Sequence, residues 1–529
     1  MYQNFIQKMR RSYKIILVIV VVLVGIAIVI ALKADEYVEG KVAEMIERVP
    51  KHIKIEYDDI EFNTFEGDLV FKNSRVQFND PKTDSLISSI SVKDLSIVDI
   101  GYWEFIKNKN FVIQRLELNQ PKIIHRRLKE VKDSIEVVPD EDKAFKTVLH
   151  IDEFVINDAD VEIREFTNDS LIFSAKHSNI EIYKVLIDSS VTDLLPFKYE
   201  TYTGVLKNLY ARSGEFEDFR TKEVRFNPEV IDMVGFSLKT KYKIADHTKL
   251  LKKERDWYNI EVDSVILSGT AFGKVNDSIN DFRSKMTTVY NPKVFIYRNK
   301  LVADDYEPKE YYSKMLRELP FNLTLDSISL LNGTVEYEEK VIPEHAAGKL
   351  DFQKFNAQVK NFSNTYKAPE KTIIYINTLF MGTTSLDVKW QFDVNDVKDQ
   401  YLFEGELGRL NTAALDQFTR RNLNINLEGE LNKTYFTIGG NKNHSHVDLA
   451  INYDDFKVQF LKDEGRKKKT VMTALVNIFV RKNSDKAEND LRRGSDDVAR
   501  DVYRSFYGNL WKNMGAGLKK AITGSAKGN

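Results

Sequence analysis

Two histidines at alternate positions, His444 and His446, flank Ser445. On a strand they would project from one face and could hold a metal only if further ligands converged there. Beside Asn441 and Asn443 they read as a polar turn. Asp158-Ala159-Asp160 opens like a calcium loop, but Ile163 stands where such a loop needs glycine for its sharp turn. The carboxylate pairs Asp58-Asp59 and Asp454-Asp455 are ordinary in a chain with 79 acidic residues and read as solvated strand ends. Phosphate-cradling glycine loops, a helical His-Glu-x-x-His and a serine nucleophile elbow do not occur. With no cysteine, disulfides, thiolate metal sites and cysteine nucleophiles are excluded. The chemistry legible here is not catalysis, and neither a cofactor nor a metal is expected.

What remains is apolar surface and the elements that would carry it. At 529 residues the chain has room for three or four domains. Apolar residues make up 42% and charged residues 30%, an ordinary globular balance. A net charge of −1 gives no global grip on nucleic acid. Proline is scarce (11), while Phe (32) and Tyr (24) are abundant, which favours long, uninterrupted, aromatic-rich strands.

The strongest single signal lies near the start. Ile15 to Leu32 carries no charge and includes Ile15, Ile16, Leu17, Val22, Leu23, Ile28, Ile30 and Leu32. As a helix it would span about 27 Å, close to a bilayer core. Lys8, Arg10, Arg11 and Lys14 precede it; Asp35, Glu36 and Glu39 follow. The positive-inside rule then places residues 1–14 in the cytoplasm, the anchor at 15–32, a linker helix at 33–50 and the rest across the membrane. A cleaved signal peptide would have a shorter apolar core and a small-x-small site, which Leu32-Lys33-Ala34 is not.

From Ile53 to about Phe460 the period is mostly two. Ile53-Lys54-Ile55-Glu56-Tyr57, Leu386-Asp387-Val388-Lys389-Trp390-Gln391-Phe392 and Leu423-Asn424-Ile425-Asn426-Leu427 show it cleanly. One short helix is expected at Pro308 to Glu318, with Pro308 at its first position. Polar loops are expected at Lys129 to Lys143 and at His247 to Asp256. Four segments repeat weakly, beginning at Ile113, Ile151, Val262 and Leu325. Each runs as a short strand, a change of phase, a turn residue and a further strand. Their irregular spacing suits a growing antiparallel sheet better than a propeller or solenoid.

Several of these segments resemble one family. Pro308-Lys309-Glu310, Leu319-Pro320-Phe321-Asn322-Leu323 and the Leu325–Tyr337 repeat are similar to a segment of AsmA-like proteins. Ser91-Val92-Lys93-Asp94-Leu95-Ser96-Ile97 with Phe111 to Ile123 resembles that family's N-terminal part. Phe403 to Gly408, Leu475-Val476-Asn477 and Arg500 to Gly517 resemble its C-terminal part. The resemblance implies a bridge-like lipid-transfer protein. Its anchor would lie in the inner membrane of a Gram-negative-type bacterium and its bulk in the periplasm. The fold implied is all-β: an elongated, curved antiparallel sheet forming a U-shaped apolar groove, with one N-terminal transmembrane helix and a short C-terminal helical tail. Residues 51–300 and 301–465 would form the two parts of the groove, and 466–529 an apolar segment and amphipathic tail. Phospholipid would be the ligand, moving toward the outer membrane. Leu116, Leu118, Phe154, Ile156, Val265, Leu267, Leu325, Ile328 and Leu330 are the candidates to line the groove. The family transfers no catalytic residue.

Physical chemistry supplies the rationale. Each exposed CH₂ costs about 0.8 kcal/mol in water, so two chains of about 16 carbons cost roughly 25 kcal/mol. A sheet of roughly 25–30 strands about 4.8 Å apart would shield them along about 120–145 Å. Alternation alone does not separate such a trough from closed sandwiches, since both are apolar inside and polar outside.

In the tail, Val471 to Val480 is apolar, and Arg466-Lys467-Lys468-Lys469 is a basic run that would meet lipid phosphate or lie in a solvated turn. Val498, Val502, Phe506, Leu510, Met514, Leu518 and Ile522 recur every four residues, flanked by Tyr503, Tyr507 and Trp511. Val502, Phe506, Leu510, Trp511, Met514 and Leu518 would touch a membrane surface or an envelope protein; equally, the helix would cap one end of the apolar trough. Two other functions fit the same chain. One is an envelope assembly scaffold with a protein partner. The other is a single-pass glycoprotein with acceptors at Asn322 and Asn332, which the total lack of cysteine disfavours.

Overall fold

The computed structural model describes residues 52–63, 66–81, 83–101, 111–127, 149–187, 197–275, 279–461 and 490–523. The anchor at 15–32, the linker at 33–50, the loop at 129–143, the basic run at 466–469 and the apolar stretch at 471–480 lie outside them. Among the described residues, no helix is long and apolar enough to cross a membrane.

Strand follows strand, as the period-two pattern predicts. The first are β1 (Ile53–Glu56), β2 (Asp59–Asn63), β3 (Asp68–Asn79), β4 (Leu86–Ile100), β5 (Phe111–Asn119), β6 (Lys122–Arg127), β7 (Leu149–Glu165) and β8 (Leu171–Ile187). Then come β9 (Thr201–Arg212), β10 (Glu217–Phe226), β11 (Val230–Thr240), β12 (Asp256–Val275), β13 (Ile279–Tyr290), β14 (Lys293–Asn299), β15 (Asn322–Lys340) and β16 (Gly348–Ser363). The last are β17 (Thr372–Phe380), β18 (Thr384–Phe392), β19 (Tyr401–Leu407), β20 (Leu410–Asn411), β21 (Ile425–Gly440), β22 (His444–Phe460) and β23 (Arg492–Ala499). All 23 belong to one large sheet. The chain divides into two compact units, Met1–Gly235 with Thr270–Asp281, and Phe236–Gly269 with Phe282–Asn529.

The sheet is mixed, not antiparallel throughout. β5 and β6 both run parallel to β7, and β14 runs parallel to β15. A parallel pair needs a crossover that returns the chain to the same end. Residues 300–321 make that connection between β14 and β15; the one between β6 and β7 lies outside the described residues.

The phase change in the four repeats is a left-handed residue. Gln120 (φ 50°), Asp158 (53°), Gly269 (61°) and Asn332 (55°) each stand seven places after the first residue of their copy. Gly269 thus matches Asn332, not Gly333. In β7 and β15 the register slips at that point, so the apolar residues resume on the opposite parity.

Three of these sites, Gln120, Asp158 and Asn332, belong to a duplicated module. Gln120-Pro121-Lys122-Ile123 leads to Arg127, and Asn291-Pro292-Lys293-Val294 leads to Arg298 at the same spacing. Asn291 is also left-handed (φ 50°). Gln120 N donates to Asn157 O and Asp160 N to Pro121 O, both at 2.8 Å; Asn291 N donates to Leu331 O at 2.9 Å and Thr334 N to Pro292 O at 2.8 Å. In both copies the first strand also pairs with the third, and the second with the fourth: β4–β6 and β5–β7, then β12–β14 and β13–β15.

The helices are few. α1 (Ile244–Leu250) occupies the start of the segment expected as a loop from His247. α2 (Tyr312–Arg317) is shorter than expected from Pro308, because Tyr311 is extended and Lys309 N is held by Val502 O. α3 (Phe506–Thr523) begins later than the four-residue recurrence suggests. Val498 belongs to β23, paired with Ser445 of β22, and Val502 lies in the following turn. Asn509 closes that turn: Asp501 N donates to its Oδ1 and its Nδ2 donates to Asp501 O.

Candidate functional site

The apolar positions of the strands line up across the sheet. In the first unit one row runs Leu69, Ile97, Leu116, Phe154, Ile182 and Tyr202, each paired with the next. The adjacent row runs Phe71, Leu95, Leu118, Ile156, Ile180, Gly204 and Phe226. Paired residues share a face, so these rows form one apolar surface over seven strands. Four groove candidates, Leu116, Leu118, Phe154 and Ile156, are neighbours on it.

The second unit repeats the arrangement. One row is Ile328, Val359, Ile374, Trp390, Phe403, Ile438 and Val447; the next is Leu330, Ala357, Ile376, Val388, Gly405, Phe436 and Leu449. Ile328 and Leu330 therefore sit on one face. Leu325 pairs instead with Phe362, which packs on the cluster containing Trp390. Val265 is half-buried on β12 and Leu267 is buried there.

Burial is uneven along these faces. In the first unit Leu69, Ile97 and Leu116 are fully buried, with Ile53, Ile55 and Ile60 of the first strands and Tyr57 between them packed on their cluster. Phe154, Ile156, Ile180 and Ile182, later in the rows, are only half-buried. In the second unit the gradient runs the other way. Ile328, Leu330, Ala357, Ile374 and Ile376 are half-buried, whereas Ile438 and Val447 are fully buried. α3 covers that end. Phe506 stacks on Trp390, with centroids 4.5 Å apart, and Gly517 lies against Leu449 and Val447.

The C-terminal candidates thus divide. Phe506 and Leu510 are buried in the cluster with Trp390, Ile438 and Val447, and Met514 and Leu518 pack on the apolar clusters. Val502 and Trp511 are exposed, as are the flanking Tyr503 and Tyr507. The face expected to meet a membrane or to cap the trough is largely turned onto the protein's own sheet.

An open concavity of about 720 Å³ follows the row from Leu330 to Phe436. Both chain neighbours of each row residue line it, among them Tyr375, Asn377, Lys389 and Glu404. Residues two places away, such as Ile328 and Phe403, do not. The row residues Leu330, Ile376, Val388 and Phe436 themselves belong to its lining.

The polar constellations are tied into the strand pairing and the turns. His444-Ser445-His446 opens β22 and is not a turn. Ser445 is buried and donates to Asn513 Oδ1 of α3 at 2.8 Å. Ser495 Oγ lies 2.9 Å from His446 Nε2, and Asp497 Oδ1 lies 2.8 Å from His446 Nδ1, the order of a serine–histidine–aspartate relay. The hydrogen bond that the imidazole donates to Asp497, with Asp448 nearby, holds its pKa above the ordinary value. Asp158 is engaged at the bulge: its Oδ1 is 2.8 Å from His177 Nδ1 and its Oδ2 accepts from Gln120 Nε2. Among the described residues, no three or more His, Cys, Asp or Glu side chains group to hold a metal.

The chain matches no family model and no curated protein. Its reading therefore rests on the geometry of the apolar rows. Sequence reasoning found strand positions on those rows, but it missed the duplication and the two arginines that end it. The signal was present as the paired Gln/Asn-Pro-Lys-Ile/Val segments.

Proposed function

We propose that this protein shields the acyl chains of phospholipids along its sheet. In this reading the segment 15–32 anchors it in an inner membrane, and an apolar groove of AsmA-like type conducts lipid through the periplasm toward the outer membrane. One observation carries the proposal. In each unit an unbroken apolar row crosses seven strands, and part of it is left half-buried by the protein's own side chains. A closed core would bury such rows throughout, because each CH₂ left in water costs about 0.8 kcal/mol. Acyl chains lying on Phe154, Ile156, Ile328 and Ile376 would complete the burial.

The test is photocrosslinking in cells, with the full chain carrying a photoreactive residue at Phe154 or Ile328. Lipid adducts at both positions, and none at a polar-face position such as Lys389, are expected. Protein adducts alone at Phe154 and Ile328 would replace this proposal with the envelope-scaffold function.

A further inference from the structure

The two copies of the duplicated module each end with an arginine and a glutamate in register, on the same face as their apolar residues; the first two are ion-paired, whereas Arg298 pairs with Asp256 and Glu339 with Tyr337. In the first copy Ile123–Val161 and His125–Ile163 pair across β6 and β7, and the next pair outward is Arg127–Glu165. In the second, Val294–Val335 and Ile296–Tyr337 pair across β14 and β15, and the next is Arg298–Glu339. Both arginines stand seven residues after a left-handed residue followed by proline, and both glutamates seven after the left-handed residue of the partner strand. Equivalent sites thus place a guanidinium and a carboxylate where an apolar face stops.

Arg127 Nη2 donates to Glu165 Oε2 at 2.8 Å. Glu165 is only 6% exposed, and its other oxygen, Oε1, is buried with no hydrogen-bond partner. A buried carboxylate oxygen with no donor is costly, so the site is built for one more N–H or O–H. In the second copy Asp256 takes one edge of the guanidinium: Arg298 Nε donates to Oδ1 at 2.5 Å and Nη2 to Oδ2 at 2.7 Å. This leaves the Nη1 side of the fork. Tyr337 Oη donates to Glu339 Oε1 at 3.1 Å, and Tyr258 Oη to Asp256 at 3.2 Å.

Resting on the lipid-shielding function proposed above, we infer that Arg127–Glu165 and Arg298–Glu339 are two copies of a headgroup station for a zwitterionic lipid bearing a phosphate and a primary ammonium. The chains lie on the apolar rows beside each station. The phosphate meets the planar guanidinium fork, which fits two of its oxygens at once. The ammonium donates to the carboxylate, at the first station to Glu165 Oε1. A quaternary ammonium has no N–H and leaves that oxygen unsatisfied, so the stations discriminate between headgroups of equal charge. Repeating one station in both modules offers the same lipid the same contacts twice along the chain.

The experiment uses the full chain in detergent micelles and three photoreactive probes with identical acyl chains: phosphatidylethanolamine, phosphatidylcholine and diacylglycerol. Wild-type protein should label with the ethanolamine lipid about tenfold more than with diacylglycerol, the scale of one charge-assisted contact. The choline lipid should fall between them. Joint replacement Arg127→Gln with Arg298→Gln should bring ethanolamine-lipid labelling down to the diacylglycerol level, and joint replacement Glu165→Gln with Glu339→Gln should erase the preference over the choline lipid. Equal labelling of wild type by all three probes overturns the stations while leaving acyl shielding intact, and needs no variant to fold. Labelling by none of the three overturns both.

Discussion

Phe506 lies flat on Trp390, with ring centroids 4.5 Å apart and planes 18° from parallel. Tyr401 and Tyr311 meet the same ring edge-on, at 5.0 and 5.6 Å. Arg500 in turn stands 3.8 Å over the Tyr311 ring. This cluster seals the covered end of the second unit's apolar face. Phe506→Ala removes the central ring and should cost about 3–5 kcal/mol. Chemical denaturation of the full chain followed by Trp fluorescence measures it. A loss under 1 kcal/mol would mean that α3 is held elsewhere.

The half-buried and fully buried members of one row should respond differently to charge. Ile328→Glu places its carboxylate at a partly wetted position and should cost no more than about 2 kcal/mol. Ile438 is fully buried in the same row, and Ile438→Glu strands a charge there, at a cost of several kcal/mol. Paired thermal melts decide the matter; equal destabilisation would show that Ile328 sits in a closed core. With Ile328→Glu folded, lipid labelling at neighbouring row positions should fall sharply.

Gly204 and Gly405 hold equivalent places in the two units, each opposite a phenylalanine in an apolar row. A Cβ at Gly204 would come within 2.3 Å of the Phe226 ring, and one at Gly405 within 2.0 Å of the Phe436 ring. The rings lie over bare backbone, covering what the glycines leave open. Gly405→Ala should therefore destabilise by about 1–3 kcal/mol through overpacking. Adding Phe436→Leu should recover part of that loss, a coupling that a double-mutant cycle reads directly.

His446 and His125 should titrate in opposite directions. The Asp497 hydrogen bond raises the His446 pKa, so its contribution to stability is present below the ordinary value of about 6.5 and is lost as pH rises through the higher folded value. Burial lowers the pKa of His125, whose Nδ1 lies 2.8 Å from Ser88 Oγ. Below about pH 6.5 the unfolded chain takes up a proton at His125 that the folded chain refuses, so stability falls with acidification. NMR titration of both imidazoles checks the signs. Asp497→Asn should lower the His446 value and leave His125 unmoved.

Alternation, scarce proline and abundant aromatics already determined the strands, because side chains on a strand alternate faces whatever lies beyond it. Leu116, Leu118, Phe154, Ile156, Ile328 and Leu330 could be placed on apolar strand faces for that reason. The residue that breaks each repeat was visible too, since aspartate, asparagine and glycine tolerate left-handed backbone. Which strands pair was not legible. Pairing joins residues as distant as Leu118 and Ile156, and their parallel register depends on a crossover that local propensity does not encode. The fate of the tail was decided in the same way. An amphipathic recurrence gives a helix a greasy side, but only the tertiary structure provides the Trp390, Ile438 and Val447 surface that α3 covers. The arginines at the module ends went unremarked for a related reason. A charged residue in an alternating strand looks like one more solvated position until register sets it beside a glutamate, on the face where the apolar rows stop.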